Sequence, residues 1–350
     1  MCYQDCVRVT RLAVKKRAAE EVMQLQQRVN KKKRVVLCEI QNVLTSKNQD
    51  LDENENTTKR KRNEKKENSD VEEANSAKEG NRYLSSDPQM CETYVSDIYE
   101  YLHNMEMEAK RRPLSDYLEK IQKDVTANMR GVLIDWLVEV AEEYKLHSDT
   151  LYLTVSYMDR FLSMSAINRK RLQLLGVSSM LIASKYEEIS PPHVEDFCDI
   201  TDNTYNKEEI VKMEADVLKS LGFEMGNPTV KTFLRFTRIA QEDYGVNLSL
   251  QLGFLGCYLA ELSLLDYGCV KFLPSLVAAS VNKALEVSSG YKAADLKECV
   301  GILHDLQMSK RGSALVAVRE KYEQHKFKCV SKLSSPLDVP ESFFEDIKDD

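Results

Sequence analysis

The chain is 350 residues long and 43% hydrophobic, with a formal net charge of −7; that length fills two domains or one sizeable core and argues against a lone small domain. The charge is uneven, because residues 1–90 hold 19 Lys/Arg against 15 Asp/Glu and leave 30 against 41 in the other 260. A tail of +4 on a body of −11 argues against non-specific nucleic-acid binding by the folded part.

Residues 1–88 hold one glycine and one proline and are dense in Lys, Glu, Asn and Asp, most clearly through NQDLDENENTTKRKRNEKKENSD. Such a segment buries too little apolar area to offset its ordering entropy, so a mostly disordered tail is expected, with a helix over 14–29 left open. From Tyr94 the pattern turns helical, and no period-2 run is long enough for a sheet. A helix is expected over 93–108, inside a connector spanning 89–125. Five more are expected over 126–145, 148–164, 169–187, 191–198 and 206–221, within a domain at 126–225. Ser148 reads as an N-cap, and so does Ser190, with Pro191 and Pro192 in the first helical positions. Asn206 with Glu209 reads as a capping box. Gly222, Gly226 and Pro228 form the strongest break. Beyond it, helices over 228–243, 249–265, 272–287, 292–308 and 312–325 fill a second domain at 226–330, followed by a C-terminal tail over 331–350. Five helices and then five, about 100 residues per group, specify an all-α fold of two tandem domains. The repeat rests on element count, because self-similarity between the halves is weak.

Catalytic constellations are missing: no GxGxxG, GxxxxGK[ST], HExxH or GxSxG occurs, and the five histidines stand far apart. DITDNTYNKEEI, from Asp199, outlines a calcium loop, but Thr204 replaces the needed glycine and Ile210 the bidentate glutamate. Nine cysteines without paired spacing fit a reducing compartment, and Cys2 and Cys6 complete no ligand set. Neither a secretory h-region nor a transmembrane run is found, so no membrane association is expected. The expectation is a helical binding module, not an enzyme, with no metal, cofactor or nucleic acid.

The stretch MRGVLIDWLVEVAEEYKL, Met129 to Leu146, is the most informative. At helical spacing Met129, Val132, Leu133, Trp136 and Val140 make one stripe, while Ile134, Leu137, Val138 and Ala141 make a second. Such a helix is either buried on all sides or shared between a core and a partner groove. Trp136 is the only tryptophan, a residue frequent in cores and at interface hot spots alike.

MRGVLIDWLVEV, YMDRFL, LIASKYEEISPP, DITDNTY, KMEADVLKSLGF, FLGCYLAELSLLD and KFLPSLVAAS, dispersed in this order from Tyr94 to Tyr322, resemble the cyclins. The resemblance is greatest to the A-type members, and among them to the shorter plant ones. It implies two stacked five-helix cyclin boxes behind an N-terminal helix, and a regulatory subunit that binds and activates a cyclin-dependent serine/threonine kinase by placing its mobile C-helix. Lys185 and Glu214 match positions that hydrogen-bond the kinase backbone. Tyr186, Leu218 and Phe223 match apolar contacts around the same interface, where many cyclins carry phenylalanine in place of Tyr186. Tyr94, Ile98 and Tyr101 lie on the N-terminal helix, matching a segment that packs on both box and kinase. Arg130 and Asp159 match a salt bridge inside the first box.

Met129, Val132, Leu133, Trp136, Glu139, Leu172 and Gln173, with Arg169 at the edge, match a groove that docks Arg-x-Leu substrates and inhibitors. A carboxylate suits the arginine and an apolar slot the leucine. The resemblance thus assigns Ile134, Leu137 and Val138 to the box interior and leaves the Met129–Trp136 stripe partly open, bordered by Leu172 and Gln173. The family often has alanine where Gly131 stands, so this glycine is expected to loosen the first turn.

In the tail, RVVLCEIQN resembles a destruction box carried by Arg34, Leu37, Ile40 and Asn42, and Lys66, Glu67 and Asn68 spell a KEN box. Both imply destruction through the anaphase-promoting ubiquitin ligase. Lys31–Arg34 and Lys59–Arg62 are candidate nuclear import signals, so the nucleus is the expected compartment, with the cytoplasm left open. The alternatives are a transcription-related cyclin-fold protein and a kinase-independent helical scaffold.

Overall fold

The computed structural model describes residues 94–243, 250–284 and 291–345, all helical or irregular, with no strand among them. The tail, with both degrons, both basic clusters and the 14–29 helix, lies outside the described residues. Helix α1 (Val95–Met107) is followed by the single turn α2 (Tyr117–Lys120). A first bundle comprises α3 (Ala127–Glu143), α4 (Ser148–Leu162), α5 (Leu172–Glu187), α6 (Val194–Ile200) and α7 (Lys207–Ser220). A second comprises α8 (Val230–Asp243), α9 (Leu250–Leu265), α10 (Pro274–Ala284), α11 (Ala293–Gln307) and α12 (Ala317–Glu323). The expected two groups of five are therefore present.

Helix ends follow local chemistry where partners are near in sequence. Asn206 accepts the Glu209 amide at 2.9 Å, and Glu209 accepts the Asn206 amide at 3.0 Å, closing the capping box of α7. Two other starts differ from expectation. Ser148 is already helical; Glu188, 41 positions ahead, accepts the His147 amide at 2.7 Å and the Thr150 hydroxyl at 2.5 Å. Ser190, Pro191 and Pro192 approach α6 in non-helical backbone, and the helix opens at Val194, where Asp196 accepts the His193 amide at 2.7 Å. Helix α12 begins five residues later than expected, because Gly312 takes φ +58° and buried Asp135 of α3 accepts the Ala317 amide at 2.8 Å.

Helix α3 is the axle of the molecule. Ile134, Leu137 and Val138 are buried in the main hydrophobic core, which runs through both bundles, while another stripe, Gly131, Asp135 and Glu142, faces the second bundle. A Cβ on Gly131 would stand 3.1 Å from Leu315 Cδ1 and 3.2 Å from the Leu265 carbonyl. This glycine therefore permits close approach between the bundles rather than loosening a turn. Lys321 of α12, itself buried, bridges Glu261 at 3.0 Å and Glu142 at 3.4 Å. The segment expected as a C-terminal tail is packed as far as it is described: Val339, Phe343 and Phe344 lie on Ala279, Leu296 and Val300, and the Pro336 carbonyl lies 2.7 Å from His304 Nε2.

Candidate functional site

Helix α1 docks by one face and leaves the other free. Tyr99 meets Phe233 edge-on at 5.7 Å between ring centroids. Glu106 is buried at the start of α10, where its carboxylate accepts the Ser275 amide at 3.0 Å and the Ser275 hydroxyl. An anion at a helix N-terminus is favourably placed, and Pro274 at the first position has no N–H to satisfy. Glu106 is buried and the Tyr99 ring rests on Phe233 while staying partly open; Tyr94 and Tyr101 are more exposed still, and Ile98 is half-buried.

Across a depression of about 640 Å³, Tyr101 of α1 faces Tyr186 at the end of α5 and Phe223 after α7. These three rings are 62%, 56% and 67% exposed. Tyr186 is thus an exposed residue. Its hydroxyl lies where a Cβ on Gly226 would stand, 2.8 Å away, so the glycine clears space for a tyrosine. Phe223 follows Gly222, and both take φ of +59°. The Phe223 amide donates to the Leu218 carbonyl at 3.0 Å, closing the end of α7. Beside the rings, Lys185 donates to Glu214 at 2.6 Å, joining the last turn of α5 to the middle of α7, and Leu218 is half-buried one turn further along α7.

The Arg130–Asp159 pair is buried and bidentate, with Nε to Oδ1 at 2.8 Å and Nη2 to Oδ2 at 2.7 Å. Tyr117 adds a third bond to Asp159 at 2.8 Å, and Arg130 Nη1 donates to the Leu264 carbonyl of α9 at 2.9 Å. Burial opposes the guanidinium charge, but Asp159 outweighs it and raises the Arg130 pKa; burial first, then Asp159, raises that of Tyr117. The pair therefore also ties the two bundles together.

The second candidate patch departs from expectation. Met129, Val132, Glu139 and Gln173 are half-open, but Leu133 and Trp136 are only 3% and 5% exposed, and Leu172 is fully buried. Gly176 of α5 is the physical reason for Leu133: a Cβ there would stand 2.9 Å from its Cδ1, so the leucine fills that space and the slot closes. Arg169 is exposed and paired with Asp124 at 3.5 Å. Among the described residues no group of His, Cys, Asp and Glu could hold a metal ion, and no helix is long and apolar enough to cross a membrane.

The cyclin N-terminal domain model matches residues 97–226, and the cyclin C-terminal domain model matches residues 228–336. The chain belongs to the cyclin family. This cyclin is 55% identical to cyclin-A3-2 of Arabidopsis thaliana over 98% of both chains. It is 63% identical to the G2/mitotic-specific cyclin C13-1 of Daucus carota, over 75% of this chain and 81% of the relative. A solved viral cyclin from herpesvirus saimiri is 18% identical with a TM-score of 0.47, covering 66% of this cyclin and 97% of that chain. Arg111, Arg160, Glu224 and Asn227, which the sequence did not single out, hydrogen-bond with one another next to Phe223. The Gly222/Gly226 bracket is the sequence signal that points there.

Proposed function

We propose that this cyclin binds and activates a cyclin-dependent serine/threonine kinase through the rim formed by Lys185, Glu214 and the exposed rings of Tyr101, Tyr186 and Phe223. The observation that carries this reading is three large aromatic side chains held open to solvent around one depression, beside a charge pair, in a member of the cyclin family. Exposed aromatic clusters of this kind mark interaction sites. Tyr94, Ile98 and Leu218 extend the apolar contact, and binding there places the kinase's C-helix, so the cyclin supplies position and the kinase the chemistry. Replacing Lys185 and Glu214 together by alanine should raise the Kd for a purified cyclin-dependent kinase roughly 30-fold or more, while Tm stays within a few degrees. An unchanged Kd would remove the rim from the interface.

The same reading makes Met129, Val132, Glu139 and Gln173, edged by Arg169, the surface that meets Arg-x-Leu substrates, with Leu133, Trp136 and Leu172 as a closed floor. The tail marks the protein for destruction by the anaphase-promoting ubiquitin ligase. A chain with Arg34, Leu37 and the Lys66–Asn68 triplet changed to alanine should persist through mitosis in synchronised cells; equally rapid loss would place the degradation signal elsewhere.

A further inference from the structure

The connector after α1 and the linker before α8 are locked together by charge. Arg111 Nη2 donates to Glu224 Oε2 at 2.6 Å and Lys110 Nζ to Oε1 at 2.8 Å. Asn227 Nδ2 donates to the Arg111 carbonyl at 2.8 Å, and Arg111 Nη1 returns to Asn227 Oδ1 at 3.3 Å. Beneath them Arg160 of α4 is buried and spans both segments through main-chain carbonyls, Glu224 at 2.9 Å and Lys110 at 3.3 Å. Glu224 is thus held by its carboxylate and by its carbonyl. Its neighbour is Phe223, a bulky residue in the left-handed region, which persists only where the surroundings over-determine it. Helix α7 does not require a phenylalanine there, since Gly222 already supplies the helix end.

We propose that the Arg111–Glu224–Arg160 clamp is a positioning device that holds Phe223 in its left-handed backbone and presents its ring to the kinase. The second half rests on the kinase-binding reading above; the first does not. Only the fraction of molecules with the ring correctly placed binds, so a slackened clamp weakens apparent affinity in proportion.

Two measurements on the full chain test this. In hydrogen–deuterium exchange without kinase, Arg111→Ala and Glu224→Gln should each make the Phe223 amide exchange roughly tenfold faster; unchanged exchange overturns the clamp. With a purified cyclin-dependent kinase, Arg111→Ala should raise Kd roughly tenfold in the wild-type background and less than about twofold on top of Phe223→Ala. Equal weakening in both backgrounds would show that Arg111 acts by a route other than Phe223 and overturns the positioning role. A wild-type chain that does not bind the kinase overturns the docking half, while the exchange result still decides whether the clamp holds the turn.

Discussion

Arg130 and Asp159 exchange two charge-assisted hydrogen bonds out of contact with water, and Tyr117 fills a further lone pair of the carboxylate. Removing the guanidinium alone leaves a buried carboxylate and also frees the Leu264 carbonyl. The expected loss for Arg130→Ala is about 3–5 kcal/mol, on the order of 10 °C in Tm for a body of this size. A calorimetric Tm within two or three degrees of wild type would contradict this account. Residue-scale reading of the sequence located both partners through the family resemblance. It did not locate Tyr117 or Leu264, because nothing local to either marks them as partners of a pair far along the chain.

At the scale of elements, α3 shows how one helix serves several neighbours. Gly131, Asp135 and Glu142 turn toward the second bundle, Ile134 and Leu137 are buried in the main core, and Met129 and Val132 stay half-open. The apolar surplus in the sequence is therefore taken up by burial, Leu133 and Trp136 being almost fully covered and Leu133 lying against Gly176 of α5, and the open stripe is narrower than expected. Substituting Trp136 would cost core packing as well as any docking function, about 3–5 kcal/mol for a change to alanine. The half-open rim is the cleaner probe. Met129→Ala with Val132→Ala should raise the Kd of a fluorescent Arg-x-Leu peptide roughly tenfold with little change in Tm; peptide binding that is indifferent to both would move the docking surface off α3.

For the whole molecule, burial of thiols and phenols sets the alkaline limit of stability. Burial of Cys299 pushes its thiol up to about 11 from an ordinary 9.0, and burial raises Cys269, Tyr152 and Tyr322 as well. A raised acid of this kind binds its proton more tightly in the folded chain. The stability it contributes is complete below pH 9 and is lost as pH climbs from 9 to 11, where the unfolded chain ionises first. For Cys299 alone this amounts to about 3 kcal/mol. The urea midpoint should therefore fall between pH 8.5 and 10.5, and Cys299→Ala should flatten part of that fall. A midpoint that does not move over this range would mean that the thiol reaches solvent in the native state.

What the sequence determined by itself is whatever depends on neighbours along the chain: the all-α class, the two groups of five helices, the Asn206–Glu209 box and the break at Gly222. Periodicity and capping act over three or four residues, so they can be read from a single segment. Only the tertiary structure decided which apolar face meets which neighbour. It closed Leu133 against Gly176, stood Tyr186 over Gly226, seated Glu106 at the start of α10, 169 positions away, and paired Arg111 with Glu224 across 113. Those contacts depend on how helices within a bundle, the two bundles and the N-terminal helix share surface, and no local pattern encodes a partner forty or more residues distant.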